Sequence, residues 1–317
     1  MPLGAPRKLT NKKFLSPSSH YFSRPKFTLQ ARHLSIELGT KTRIMAIVNL
    51  TPDSFSNDGA IHRLGRDKQK AINIALRHIR AGADIIDLGG ESTRPNASPV
   101  SEHEEIKRVI PVLSALTKKV SIPISVDTYK ENVMRRALDH GASIINNIKG
   151  ITISKNSLKI IRRYNAAIVL MHMRGTPQTM QKKTRYQNLI ADIIGELGKS
   201  IEKCLEAGIK SDRIIVDPGI GFAKTAEQNL EILKRLREFE ILKQPILIGT
   251  SRKSFVGKIL GREVNERAFG SVATVCAGIF GGAHIVRVHD VKASADAAKM
   301  TDAILNFTNQ PLTQPFS

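Results

Sequence analysis

The strongest constraint on the fold is a repeated alternation between short, β-branched apolar runs and longer segments with helical periodicity. Eight runs occur, at residues 44–48, 84–88, 122–126, 143–145, 167–171, 213–216, 245–248 and 285–288. They are apolar almost throughout, which is typical of parallel strands that are covered on both faces. Eight strand–helix units in a chain of 317 residues predict a single-domain α/β fold, a (β/α)₈ TIM barrel.

The joints between units support this prediction. Gly82, Gly141 and Gly282 each follow a predicted helix and precede a predicted strand, where glycine suits the left-handed residue that ends a helix. A doubly wound open sheet is the alternative fold. It would need a glycine-rich phosphate turn after the first strand, and this chain has none there.

The catalytic barrel is predicted to span residues 37–309, followed by a frayed C-terminal tail at 310–317. Residues 1–36 are predicted to form a disordered leader, because they contain seven basic residues and no acid. We expect a cytoplasmic protein, with an organellar location as the alternative if this basic segment is a transit peptide.

Composition sets limits on partners. No run of apolar residues is long enough to cross a membrane, and the two cysteines have neither disulfide nor zinc-site spacing. The net charge of +21 is compatible with nucleic-acid binding. However, much of the excess lies in the leader, and only 5% aromatic residues leave few stacking platforms. We therefore expect no membrane and no nucleic-acid partner.

Polar residues follow every predicted strand. In a barrel of this kind the active site lies at the carboxyl ends of the strands. The residues at these eight ends are Asn49, Asp87 with Glu91, Asp127, Asn146, His172, Asp217, Lys253, and Arg287 with His289. A complete ring of polar groups on otherwise apolar strands predicts a functional site at the open end of the barrel, where the strands end.

The residue types indicate a flat heterocycle as ligand. Asp127, Asn146 and Asp217 are expected to converge with Lys253, and a carboxylate can accept two parallel N–H bonds from an amino-amide edge. A buried structural ion pair is the alternative interpretation of these groups. Arg287 and His289, two residues apart on the last strand and next to a helix start, predict an anion site.

Six segments together carry a family resemblance. They are NLTPDSFS at 49–56, DLGGESTRP at 87–95, SVDT at 125–128, DPGIGF at 217–222, SRKS at 251–254 and RVHDV at 287–291. In this order they resemble the dihydropteroate synthase family, and the resemblance covers about residues 33–308. It implies condensation of 6-hydroxymethyl-7,8-dihydropterin diphosphate with 4-aminobenzoate, with diphosphate leaving before the arylamine attacks.

The resemblance also implies a role for each matching residue. The pterin-binding positions are Asp127, Asn146, Asp217 and Lys253, and the diphosphate-binding positions are Asn49, Thr93, Arg287 and His289. Asn49 is in addition the implied ligand of the cofactor Mg²⁺. The aminobenzoate-binding positions are Phe55, Thr93, Pro95, Phe222 and Ser254. The residues expected to be catalytic are Asp53, Arg94, Asp127 and Lys253.

One residue departs from the family pattern, and the role of a second needs interpretation. Asn147 stands where the family commonly has aspartate, and His172 is interpreted as structural rather than catalytic. A homodimer is implied by the resemblance alone. The alternatives are a pterin-binding methyltransferase, which has no reason to keep Lys253 or the Arg287/His289 pair, a basic nucleic-acid-binding barrel, and an inactive synthase paralogue.

Overall fold

Parallel strands form the centre of the molecule. The computed structural model describes residues 23–51, 64–92 and 97–307. An antiparallel hairpin comes first, with β1 (Phe27–Ala31) and β2 (Leu34–Leu38). The parallel strands follow as β3 (Arg43–Asn49), β4 (Ile85–Gly89), β5 (Ile124–Asp127), β6 (Ile144–Asn147), β7 (Ala167–Met171), β8 (Ile214–Asp217), β9 (Leu247–Ile248) and β10 (Ile285–Val288).

The parallel sheet is closed into a barrel. Hydrogen-bonded neighbours run in the order β8, β7, β6, β5, β4, β3, β10, β9. A parallel bridge between Val216 and Ile246 joins β8 to the segment before β9. All eight predicted strands are therefore confirmed, as is the TIM barrel, and the open sheet is excluded because its two edge strands meet.

Helices surround this barrel. Their bounds are α1 (Leu64–Arg80), α2 (Glu102–Leu116), α3 (Glu131–Asp139), α4 (Lys155–Arg163), α5 (Leu189–Glu206), α6 (Ala226–Lys234), α7 (Ser254–Leu260), α8 (Ala268–Phe280) and α9 (Val291–Leu305). Several start at a side-chain cap that accepts a hydrogen bond from a free backbone N–H group, as Ser101 does from Glu104. Among the described helices, none has the length and apolarity needed to cross a membrane.

Alternate residues of each strand face opposite layers. On β3, Ile44 and Ala46 belong to the layer between strands and helices. Met45 belongs to a second cluster inside the barrel, with residues of the other strands such as Ile85 and Ile285. This two-residue period follows from strand geometry. The interior positions at the carboxyl ends of the strands, called here the upper end or mouth of the barrel, are left for polar residues.

The hairpin closes the lower end of the barrel, and this corrects the predicted domain boundary. Leu29 and Ala31 on β1, and Ile36 and Leu38 on β2, are buried in the same interior cluster as Met45. The prediction that residues 1–36 form a disordered leader is therefore wrong for its last residues, which belong to the hairpin. Their apolar residues alternate with polar ones, but this strand pattern is short and is interspersed with basic residues. Residues 1–22 and 308–317 lie outside the described residues.

A buried ion pair fastens this end. The Arg24 guanidinium donates to Asp302 on α9 over 2.6 Å, with only 2% and 10% of the two side chains exposed. It also donates to the Thr42 hydroxyl over 2.6 Å and to the Ala283 carbonyl over 2.9 Å. The segment before the hairpin is thereby tied to the last helix.

Replacing Arg24 by methionine should lower the free energy of unfolding by about 3–5 kcal/mol, because Asp302 would keep a buried charge without its partner. Urea denaturation at pH 7 measures the change. Lys26→Met is the matched control, since Lys26 is exposed two residues away. Equal stability of the two variants would show that the buried pair does not fasten the lower end.

Candidate active site

Three polar residues predicted to converge lie at the carboxyl ends of neighbouring strands. Asp127 and Asp217 are the last residues of β5 and β8, and Asn146 lies near the end of β6. All three side chains are buried. Because the strands are parallel and closed into a barrel, these ends share one mouth.

Arg287 joins this group through two carboxylates. Its Nε donates to Asp87 over 2.7 Å, and its Nη2 donates to Asp127 over 2.9 Å. Asn146 donates to the same Asp87 oxygen over 3.2 Å. Burial lowers the pKa of Arg287, but the charges of Asp87 and Asp127 outweigh it and leave the pKa above its ordinary value. The guanidinium therefore stays charged.

The acid groups are held in an unusual state. Burial raises the pKa of Asp127 to about 7, with Arg287 acting in the opposite direction and Asp87 adding to the rise. Burial also raises the pKa of Asp217, against the charge of Lys253. Near neutral pH the Asp127 carboxyl is therefore close to its midpoint, and it can either accept or donate a hydrogen bond.

Lys253 lies at the same mouth, where the charges of Asp217, Arg287 and Asp127 act on it. It precedes α7, its Nζ donates to the carbonyl of Ile220, and it stands 4.3 Å from the ring centroid of Phe222. Burial lowers the pKa of Lys253 to about 8, opposed by the charge of Asp217. Ammonium and ring are at cation–π distance, which places an aromatic surface beside the polar pocket.

The loops after the last two strands are tied to each other. The backbone N–H of His289 donates to the Ser251 hydroxyl over 3.1 Å, and the Nδ1 of His289 is hydrogen-bonded to the same hydroxyl, also over 3.1 Å. Arg252 forms an ion pair with Asp290, the residue after His289. The predicted anion-site residue His289 is therefore held beside the segment that carries Lys253. Ser254, in the first turn of α7, is exposed at the same rim.

Asn49 ends β3 beside Gly89, the last residue of β4, and its amide oxygen lies 3.7 Å from where a Cβ on Gly89 would stand. Among the described residues, no group of three or more His, Cys, Asp or Glu side chains could hold a metal ion. A single amide oxygen fits Mg²⁺ only when substrate phosphate oxygens and water complete the shell, which is how proteins usually bind this ion.

Five predicted residues cannot be placed. Asp53 and Phe55 belong to the segment after β3, called here the first loop, and Thr93, Arg94 and Pro95 to the segment after β4, called the second loop. All five lie outside the described residues. The second loop is described up to Ser92 and again from Ala97.

The base of the second loop carries an ion cluster that the sequence did not predict. Lys130 donates to Glu91 and, over 2.6 Å, to Glu105 on α2. It also donates to the Val100 carbonyl over 2.6 Å. The residues that flank the loop are thus bound to the segment that follows Asp127. Glu91 was a visible charge in the motif, but its partners are distant in the chain.

Two further residues had no role assigned from the sequence. Asp87 was named there only among the residues at the strand ends, and Lys224 was not named. Asp87 is the one charged residue of β4, and a charge inside an otherwise apolar buried strand was a signal that it faces the mouth. Lys224 is buried and contacts His172, with its pKa lowered to about 7 by burial against the charge of Asp217. Nothing in the sequence around Lys224 indicated this position.

Asn147 and His172, the two residues singled out as unusual, are both buried behind the mouth. The Asn147 side-chain oxygen accepts from the backbone of Lys149 over 2.8 Å, and its Nδ2 has no hydrogen-bond partner within the described part of the chain. Burial, reinforced by the charge of Lys224, lowers the pKa of His172 to about 4. His172 is therefore neutral at physiological pH.

Comparison with known proteins identifies the family of this site. Residues 45–289 match the model of the pterin binding enzyme family. A dihydropteroate synthase of Synechocystis is 45% identical over 291 residues, covering 92% of this chain and 98% of that protein. This chain belongs to the dihydropteroate synthase family. Its activity is that of a dihydropteroate synthase, a transferase of folate biosynthesis.

Solved dihydropteroate synthases share the fold. The Clostridium difficile enzyme, determined in the presence of pteroic acid, is 44% identical with a TM-score of 0.79, covering 85% of this chain and 98% of that one. The Xanthomonas albilineans enzyme with 4-aminobenzoic acid is 36% identical with a TM-score of 0.82, covering 90% and 100%. The predicted family and fold are both confirmed.

The Asp87→Asn variant of this synthase should lower the pKa of Asp127. The substitution removes a negative charge that raises this pKa. It also leaves Asp127 as the one carboxylate of the pair that still forms an ion pair with Arg287. Titration of ¹³C-labelled aspartate carboxyls, with Asp127 assigned through an Asp127→Asn variant, measures the midpoint.

Asp84→Asn is the control for this titration, because Asp84 pairs with Arg43 at the opposite end of the same strand. It should leave the midpoint of Asp127 in place. An Asp127 midpoint that is equal in wild type and Asp87→Asn would show that the two carboxyls are not coupled.

Proposed function

We propose that this chain condenses 6-hydroxymethyl-7,8-dihydropterin diphosphate with 4-aminobenzoate, giving 7,8-dihydropteroate and diphosphate. The observation that carries the proposal is the buried mouth in which Asp127, Asn146 and Asp217 face Arg287 and Lys253. The pteroic acid and 4-aminobenzoic acid studied with two solved relatives support the same pair of substrates.

The pterin is bound by its polar edge. In their ionised forms, Asp127 and Asp217 accept hydrogen bonds from N–H groups of the amino-amide side, and Asn146 supplies both a donor and an acceptor. Lys253 donates to a ring nitrogen or carbonyl. Each of these groups is fixed by its place in the fold and by a hydrogen bond with a neighbouring group, so they need little reorganisation when the pterin arrives. The partners are Arg287 for Asp127, Asp87 for Asn146, the Gly219 N–H for Asp217 and the Ile220 carbonyl for Lys253.

The reaction proceeds in two steps. The bond between the pterin methylene and the diphosphate oxygen breaks first, and its electron pair leaves with the diphosphate. The carboxylates of Asp127 and Asp217 place negative charge near the cation that develops on the pterin. The arylamine nitrogen then forms the new C–N bond and releases one proton to solvent.

The leaving diphosphate is held by donors from two strand ends and by one residue of the segment after β4. Asn49, Arg287 and His289 lie at the ends of β3 and β10, and Thr93 is assigned to the same site although it lies outside the described residues. Mg²⁺ held by Asn49 and the diphosphate oxygens would neutralise charge on the leaving group when bound. Asp53 and Arg94 are assigned to loops that exclude water from the reacting atoms.

The aminobenzoate ring is assigned to the side of the mouth formed by Phe222 and Lys253. Ser254, exposed at the start of α7, is assigned to the carboxylate, to which its hydroxyl can donate a hydrogen bond. Phe55, Thr93 and Pro95 complete this pocket in the proposal.

Diphosphate release from the purified chain tests the proposed function. Turnover is expected only when pterin diphosphate, 4-aminobenzoate and Mg²⁺ are all present, and Lys253→Ala or Asp217→Ala should reduce it by at least about a hundredfold, as when a buried charged partner is removed. Lys234→Ala, on the exposed surface of α6, is the control. Binding of pterin without turnover would instead favour a methyltransferase or an inactive paralogue.

A homodimer is proposed through α7 and α8. These helices and the segment between them expose large apolar side chains, among them Ile259, Leu260, Val264 and Phe269, the last with 90% of its surface exposed. Apolar groups of this size exposed on neighbouring helices are typical of a protein–protein interface.

Phe269→Glu should convert the dimer to a monomer, because a carboxylate would be buried in the interface without a partner. Sedimentation velocity measures the mass. Leu205→Glu on α5 is the matched control, since Leu205 is also exposed but lies on another helix. A monomeric wild type, or a dimeric Phe269→Glu variant, would contradict the proposed interface.

We also propose a cytoplasmic location, and the two cysteines, both free, suit a reducing compartment. An organellar location is the alternative if the basic segment that precedes the hairpin acts as a transit peptide. The partners proposed are the two small-molecule substrates and a second copy of the chain, without nucleic acid or membrane.

A further inference from the structure

The turn that follows β8 has a backbone that must be held in place. Between Asp217 and Lys224, three residues adopt left-handed conformations, Gly219 with φ of 72°, Gly221 with φ of 84° and Ala223 with φ of 51°. Glycine tolerates this region, whereas alanine is disfavoured there by its Cβ. Such a conformation persists only when the surrounding structure supplies compensating contacts.

Lys224 supplies the contacts from inside the turn. Its side chain folds back beneath the backbone, and Nζ donates to the Gly219 carbonyl over 3.0 Å and to the Phe222 carbonyl over 2.9 Å. The third contact is with His172 Nδ1 over 3.0 Å. In its protonated form Lys224 has three N–H donors, and these three acceptors use all of them. Only 3% of the residue is exposed.

The far side of His172 connects this lysine to α5. Because Nδ1 accepts from Lys224, the neutral ring carries its proton on Nε2 and donates to Glu196 over 3.0 Å. Glu196 is fixed in turn by Arg174 over 2.9 Å. The lysine is therefore positioned by a chain of hydrogen bonds that ends on a helix.

The outer face of the turn is held by groups from other segments. The Tyr186 hydroxyl donates to the Ala223 carbonyl over 3.0 Å, and Asn229 on α6 accepts from the Gly221 N–H over 2.6 Å. Lys224 is thus the inner support of a turn whose outer contacts come from the side chains of Tyr186 and Asn229.

This turn determines the position of Lys253 and of the Phe222 ring. A Cβ added at Gly221 would stand 2.6 Å from Lys253 Cδ, so backbone and lysine are in close contact. Lys253 Nζ donates to Ile220 within the turn and lies 4.3 Å from the Phe222 ring centroid. A shift of the turn would move both the ammonium and the aromatic surface.

We propose that Lys224 is a positioning residue for the aromatic substrate, acting by fixing the Ile220–Phe222 segment against Lys253. Lys224 is buried behind the turn and does not itself contact substrate. The proposal rests on the proposed function, because it uses the assignment of 4-aminobenzoate to the side of Phe222.

The test compares Lys224→Met with Lys234→Met, a surface control ten residues further along the chain. In Lys224→Met we expect the KM for 4-aminobenzoate to rise by at least about tenfold, as for loss of a charge-assisted contact that organises a site. The KM for the pterin diphosphate should change less. Loss of folded protein alone would lower the maximal rate and leave both KM values unchanged.

A second variant covers failure of Lys224→Met to fold. Tyr186→Phe removes only the hydroxyl that holds Ala223, and it should raise the same KM by a smaller factor. An unchanged KM for 4-aminobenzoate in a folded Lys224→Met protein, or in Tyr186→Phe when the first variant does not fold, would overturn the proposal.

Amide hydrogen exchange separates this proposal from the proposed function. Exchange in residues 219–224 should be faster in Lys224→Met, or in Tyr186→Phe, than in the wild type and in Lys234→Met, whether or not the wild type shows turnover. Unchanged exchange would overturn the role of Lys224. A wild type without diphosphate release, but with faster exchange in the variant, would refute the proposed function alone.

Discussion

The active mouth depends on the two ion pairs that Arg287 makes with Asp87 and Asp127, 2.7 Å and 2.9 Å long. Asp87 is fully buried, and an uncompensated carboxylate there would be costly. Buried ion pairs seldom stabilise a fold more than apolar packing of the same volume would. Their presence at the strand ends is therefore better explained by the chemistry of the site than by stability.

The two ends of the barrel have different roles: one end provides apolar packing and the other carries the functional site. At the end closed by the hairpin, the hairpin residues and strand residues such as Met45 form a buried apolar cluster, and Arg24 ties the chain to α9 through Asp302. At the upper end, the interior positions carry charge and loops. This division lets the catalytic end keep strained turns and buried charges, because the opposite end and the helix layer supply the packing that compensates for them.

Burial gives the mouth its chemical character. It raises the pKa of Asp127 and Asp217 and lowers the pKa of Lys253 and Lys224. The opposite charges of neighbouring side chains act against these shifts and stabilise the charged forms. Groups with pKa values near neutrality are typical of functional sites. In the reaction proposed above no activated nucleophile is required, and the site would act by binding, orientation and placement of charge around a developing cation.

The sequence by itself determined the barrel and most of the mouth, because strand periodicity and the residue that follows each strand are local properties of the chain. Asp127, Asn146, Asp217 and Lys253 were found in this way. The tertiary structure alone decided that the hairpin closes the barrel, that Arg287 is shared by Asp87 and Asp127, and that Lys224 supports the turn after β8. These features join residues distant in sequence, and the burial that makes their charges and hydrogen bonds consequential exists only in the folded chain.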